Sequence, residues 1–316
     1  MVTQHFKPPF WTPNEIPERN GYPRYPDTEM TRRHTWLDTI IADETLDAVV
    51  VGGATGPLET SVQYFTNWPP QVPSYLIVTP GETASLFVRL WNHLPDALRI
   101  ATIAALADQL RPGMHEYEVA RVIEEVYLGH RGVNLIHFSL STPMDHPQVW
   151  VPHQYHPNRR LEAGDVFVTE ISTTFWGYAG QILRTFTIAA EPTPRYARLH
   201  QVALETYQGI VEVLRPGATI GQVLAAAEGI TAAGFDIWDD LVHGFGGAYL
   251  PPIVRTRASR GATHPDEWAY PEGTLLVVQP NVIDGKAGVQ VGNSLQITAG
   301  GAIATQLYPL DLIRCA

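Results

Sequence analysis

Two stretches of this chain repeat each other. LRPGMHEYEVARVIEE (Leu110 to Glu125) and LRPGATIGQVLAAAEG (Leu214 to Gly229) each follow a helical pattern with Leu-Arg-Pro-Gly and then a second helical pattern, 104 residues apart. A unit recurring at that spacing points to internal duplication, and so to a fold with two similar halves. The competing reading is that Pro-Gly turns between helices are common. Strands follow each helical pair. In DVFVTEI, Val166, Val168 and Glu170 share one face, and QILRTFTI is the expected hairpin partner. In GTLLVVQPNV, Leu275, Val277 and Gln279 stand together. VQVGNSLQIT lines up Gln290, Gly292, Ser294, Gln296 and Thr298 opposite Val291, Leu295 and Ile297, a polar face that is either half solvated or part of a site.

Ahead of the repeat, residues 1–30 form an arm rich in proline and aromatic residues. Residues 31–96 read as a small α/β unit: a helical TRRHTWLDTIIADETL, the apolar run DAVVVGG, then YFTNW and the alternating SYLIVTPGETASLFVRL as strand, turn, strand. Residues 97–316 hold the duplicated domain. Lys and Arg number 21 against 32 Asp and Glu, a net charge of −11, which disfavours nonspecific binding to nucleic acid or anionic membranes and favours a small-molecule partner. The arm lacks the apolar core of a secretory signal, and no apolar run approaches the roughly 20 residues that span a bilayer, so a cytoplasmic protein is expected. Cys315 is the only cysteine, which excludes intramolecular disulfides and thiolate metal sites.

The series GDVFVTEI, GYAGQILRTF, LVHGFGGAYLPP, VVQPNV and VQVGNSLQITAGG, preceded by the two LRPG segments, resembles the pita-bread family of creatinase, methionine aminopeptidase and X-prolyl aminopeptidase. The resemblance covers Ala97 to Ile313 and implies an α/β (α+β) pita-bread domain. LDAVVV and YFTNW are similar to the start of a creatinase-type N-terminal domain, here shortened, because NHLP runs almost directly into ALRIATIAALADQL. In the family's peptidases two aspartates, a histidine and two glutamates hold two divalent ions. Carried onto this chain, those positions are Glu170, Gln181, His243, Gln279 and Gly292. Two such ions about 3.5 Å apart repel by roughly 19 kcal/mol at an effective dielectric of about 20, and anionic ligands must offset that. Glu170 is the sole acid of the five, so no metal and no other cofactor is expected, and Gln181 belongs to a pocket built on hydrogen bonds.

A pocket without metal can still catalyse. Creatinase is a metal-free member, and the resemblance implies a histidine acting as base and acid on a C–N bond, with a glutamate orienting a cationic group. Its histidine lies about eleven residues ahead of the aspartate of the GD turn, which makes His153 nearest and His156 second in a loop that also carries His146. The expected catalytic set is therefore His153, His156 and His243. The expected substrate-binding set is Glu170, as the only inward acid or else paired with Arg184, with Gln181, Gln279, Tyr249 and Arg255. Arg255, Arg257 and Arg260 can clamp a carboxylate or form a solvated basic loop. Three functions follow: a metal-independent creatinase-like enzyme acting on a small polar amino-acid-derived substrate, a non-catalytic pseudopeptidase that binds a peptide or small ligand, and a residual X-prolyl-type metallopeptidase. A homodimer is expected, the arm's FKPPFW supplying a contact.

Overall fold

A computed structural model of the chain describes residues 25–53, 61–66, 74–80, 84–88, 102–129, 132–154, 158–175, 178–246, 249–305 and 308–316. FKPPFW and His156 lie outside them. The chain divides into two compact units, Met1–Arg99 with Phe175–Tyr178, and Ile100–Thr174 with Ala179–Ala316. None of the described helices is long and apolar enough to cross a membrane.

In the smaller unit, helix α1 (Asp27–Asp43) buries Arg33, Leu37 and Ile41, the four-residue spacing of one helical face. Its first turn carries Asp27 and Glu29, which complement the positive end of the helix dipole. Strands β1 (Val49–Gly53), β2 (Ser74–Val78) and β3 (Ser85–Val88) form an antiparallel sheet, and short helix α2 (Ser61–Thr66) contains the first three residues of YFTNW. Leu37, Ile41, Phe65 and Leu76 make its core.

The larger unit is built twice over. Helices α3 (Thr102–Gln109) and α4 (Glu116–Gly129) precede β4 (Val133–Pro143), β5 (Asp165–Phe175) and β6 (Tyr178–Ile188). Helices α5 (Pro194–Val213) and α6 (Ile220–Ala232) precede β7 (Val242–Gly244), β8 (Leu250–Val254) and β9 (Leu275–Val278). Then come the hairpin of β10 (Asn281–Asp284) with β11 (Ala287–Gln290), and β12 (Gly292–Thr298), β13 (Gly301–Ala304) and β14 (Ile313–Cys315). Among the described residues the main sheet runs β4-β5-β6-β12-β9-β7-β8, with β13 on β12 and β14 parallel to β6. VQVGNSLQIT is thus two strands that break at Val291, whose N–H leaves the ladder for the Pro280 carbonyl.

Both LRPG turns close in the same way. Gly113 and Gly217 take φ of 91° and 83°, conformations that side-chain-bearing residues resist. The Gly113 N–H donates to the Leu161 carbonyl at 2.7 Å, and the Gly217 N–H to the Tyr270 carbonyl at 2.9 Å. At each following helix a side chain takes the cap N–H, the Glu118 carboxylate that of His115 and the Gln222 amide oxygen that of Thr219, both at 2.8 Å, and at the second the Thr219 hydroxyl accepts the Gln222 N–H in return. Leu106, Leu110 and Val119 pack on Phe167, Phe186 and Ile188, while Ile210, Leu214 and Val223 share a core with Leu276, Leu295 and Ile297. Each such fully buried side chain contributes about 2 kcal/mol. The outward-helix face is therefore apolar in both halves, which leaves the opposite face to carry Glu170 and Gln279.

Candidate functional site

Glu170 stands six residues after the GD-turn glycine Gly164, and Gln279 six after Gly273, so the two occupy matching places in the two halves. Gln181 joins them. Its Nε2 donates to Glu170 Oε1 at 2.6 Å and to Gln279 Oε1 at 3.0 Å. The Gln279 amide donates onward to Asp240 Oδ1 at 3.3 Å, and Asp240 Oδ2 accepts from the Tyr249 hydroxyl at 2.7 Å. The result is a buried chain, Glu170–Gln181–Gln279–Asp240, ending at the half-exposed Tyr249. Ser294 Oγ accepts the Gln181 N–H at 2.8 Å and fixes the strand beneath it. Gln181 Oε1 is buried with no protein donor, a cost of about 1–3 kcal/mol unless a bound molecule supplies one.

The electrostatics follow from burial. Removal from water pushes the Glu170 carboxyl up to about 8, and the acids Asp239 and Asp240 add to the rise. Burial also raises Asp240, partly offset by His243 nearby and by the Tyr249 hydroxyl. The reading of Glu170 as the only inward acid is therefore corrected: Asp240 is fully buried in the same network. Its signal in the sequence was the acidic pair Asp239-Asp240, separated from VHG by Leu241 alone. Asn281 holds this corner together, donating to the Asp240 carbonyl at 2.7 Å and accepting the N–H groups of Trp238 and Asp239.

His243 lies opposite Val277 in the β7–β9 ladder, and opposed residues share a face, so its ring stands on the side of Gln279. Its Nδ1 meets the Gly244 carbonyl at 3.1 Å. A carbonyl can only accept, so Nδ1 carries the hydrogen and Nε2 is the basic nitrogen of the neutral ring. The ring packs 4.6 Å from that of Tyr249.

His153 is elsewhere. It exchanges both backbone hydrogen bonds with Ser139 at 3.1 Å, and Ser139 lies opposite Thr169, so His153 is on the face away from Glu170. There it neighbours buried Glu116, which accepts from the Ser141 N–H and hydroxyl, while Arg159 bridges Ser141 to Asp165. His146 is exposed. Arg255 pairs with Asp239 at 3.2 Å, and Arg257 with Asp266 at 2.5 Å. Arg184 is fully buried and spends its donors on the carbonyls of Leu183, Gly292, Tyr308 and Pro309 and on Asn293, not on Glu170.

Gly292 is closed to any side chain. A Cβ there would stand 2.5 Å from the Val278 carbonyl oxygen and 2.9 Å from Gln279 Cα and Leu183 Cδ1. Among the described residues no three His, Cys, Asp or Glu side chains are grouped to hold a metal ion.

The model of metallopeptidase family M24 matches residues 96–299 of the chain. The putative dipeptidase YkvY of Bacillus subtilis is 26% identical over 208 residues, 65% of this chain and 54% of that protein. The Xaa-Pro dipeptidase of Pyrococcus furiosus is 26% identical over 210 residues, 65% of this chain and 58% of that protein. The chain thus spans a little over half the length of these relatives. Among solved structures, dipeptidase PepE from Mycobacterium ulcerans superimposes with a TM-score of 0.70 at 18% identity, covering 92% of this chain and 99% of that one. The prolidase from Pyrococcus furiosus does so with 0.69 at 18% identity, covering 86% and 100%.

Proposed function

The chain belongs to metallopeptidase family M24 and has the pita-bread fold, and from that premise we propose that it is a metal-independent enzyme hydrolysing a C–N bond in a small, polar, amino-acid-derived substrate. One observation carries the reading: Glu170, Gln181 and Gln279, three of the five positions that the family resemblance gives to metal ligands, are hydrogen-bonded to one another and onward to Asp240. The residues present do not fit a pair of divalent ions. Two of the five positions are neutral amides committed to each other and to acids, and the backbone at Gly292 leaves no room for a carboxylate. Acidity comes instead from Glu170, which burial raises to about 8 and which a cationic group of the substrate favours in its ionised form, while Asp240, raised by burial, accepts from Gln279 and Tyr249.

His243 Nε2 takes a proton from water as the water oxygen attacks the substrate carbon, and returns it to the departing nitrogen. Water is thereby divided across the cleaved bond. His153 remains a proposed contributor only through the loop, since its ring is on the other face of the sheet. Tyr249 at the rim and Arg255 beside Asp239 complete the proposed binding set. The working assembly is a homodimer, and a monomer by light scattering at micromolar concentration removes that part of the reading.

The test combines composition and rate. Protein purified without chelator is analysed for manganese, cobalt, iron and zinc, and its hydrolysis of a panel of small amides, amidines and dipeptides is measured with and without EDTA. Well under one metal equivalent and EDTA-insensitive turnover are expected, with turnover lowered roughly 100-fold to 10,000-fold by His243→Ala. Two equivalents with metal-dependent activity overturn the proposal. Binding without any turnover points to the non-catalytic reading.

A further inference from the structure

A cleft of about 370 Å³ opens at the first LRPG turn, lined by Arg111, Arg121 and Arg160 with Glu118 and the Pro112–Gly113 backbone. Three guanidiniums on one small cleft is unexpected in a chain of net charge −11. Two of them are held in place by main-chain carbonyls, which orient a guanidinium without cancelling its charge. Arg160 Nη1 donates to Gly113 O at 2.6 Å and Arg111 Nη1 to Gln109 O at 3.1 Å. Arg121 is paired with Glu125 at 3.6 Å with both side chains exposed, a contact of little energy, and its charge also acts on Glu118. Glu118 is the one acid in the lining, and its carboxylate is turned to cap the His115 N–H. The cleft therefore carries a net charge of two positive units among its lining residues.

The fold does not require two of these three charges. The second LRPG turn has the same glycine conformation and the same side-chain acceptor on the cap N–H, and it keeps Arg111 as Arg215, yet Arg121 is matched there by Ala225 and Arg160 by Ala269. Nor are helix amides the attraction, because the first α4 N–H is already given to the Arg159 carbonyl.

We propose that this cleft is a second binding site, for a small organic phosphate whose dianionic group is held by Arg111, Arg121 and Arg160. Planar guanidiniums match phosphate oxygens with paired hydrogen bonds, the charges balance, and a cleft of this volume holds an organic body beside the phosphate. The site is independent of the Glu170 network.

The experiment is isothermal titration of the intact chain with glucose 6-phosphate, inorganic phosphate, pyrophosphate and glucose, on wild type, Arg121→Ala, Arg160→Lys, and Arg195→Ala as a control guanidinium paired elsewhere with Asp284. Arg121 is exposed, so its replacement leaves folding intact, and thermal melts check Arg160→Lys. Expected are saturable binding of glucose 6-phosphate, weaker binding of inorganic phosphate, none of glucose, and an affinity loss of about 10-fold in each cleft variant, with none in Arg195→Ala. Equal affinity in wild type and both cleft variants overturns the site. Tighter binding of phosphate or pyrophosphate than of the monoester overturns the organic ligand and leaves a free anion as its occupant.

Discussion

The two halves of the larger unit share a backbone and differ in charge. Gly113 and Gly217 have the same left-handed turn, and the Gly164 and Gly273 N–H groups reach the Ile188 and Ile297 carbonyls at 2.9 and 2.8 Å, two equivalent closures. Upon that common frame the first half carries Glu170 where the second carries Gln279, and Leu183 where the second carries Gly292. What is repeated is what the chain needs in order to fold. What is not repeated is free to serve chemistry, and the acid, the amide, and Arg121 and Arg160 of the first turn fall in that class, whereas Arg111 recurs as Arg215.

The largest expected effect makes the halves alike in charge. Replacing Glu170 by Gln keeps the acceptor for Gln181 and removes the buried acid. In the wild type the folded carboxyl sits at about 8 against 4.5 unperturbed, so the folded state binds its proton more tightly. That contribution is fully present below about pH 4.5 and is lost as pH rises through 8. Urea unfolding should therefore show wild type and Glu170→Gln equal near pH 4, with the variant the more stable by on the order of 5 kcal/mol above pH 8. Parallel pH profiles would break the contrast between the halves.

A smaller effect is expected where the second half has lost a side chain. Gly292→Ala forces a Cβ against the Val278 carbonyl and should cost about 3 kcal/mol in thermal unfolding. An unchanged melting temperature would show that the position can open, and with it the room for a carboxylate. The smallest effect tests the likeness itself. Gly113→Ala and Gly217→Ala both meet open space at positive φ, so each should cost about 1–2 kcal/mol of backbone strain, and by the same amount. Clearly unequal losses would mean that the two turns are not equivalent.

Much of the site could be read along the chain. Alternation placed Glu170 on the face opposite Phe167 and Ile171, and the spacing of QILRTF placed Gln181 to meet it, because side-chain direction in a strand depends only on local period. The repeated LRPG segments likewise carried the duplicated helix pairs, since a left-handed glycine and a cap are properties of a few adjacent residues.

The rest depended on register between distant segments. Whether His153 faced Glu170 was decided by its pairing with Ser139, and whether Asp240 reached Gln279 was decided by the junction of the segment before β7 with β9. Closure at Gly292 was decided by the approach of Val278 and Leu183 from two other strands. A one-residue slip in any of these ladders turns a side chain to the other face. By itself, then, the sequence determined the repeated elements and the face each strand residue occupies. Only the tertiary structure decided which faces meet, because cross-strand contacts are set by packing between parts of the chain about a hundred residues apart.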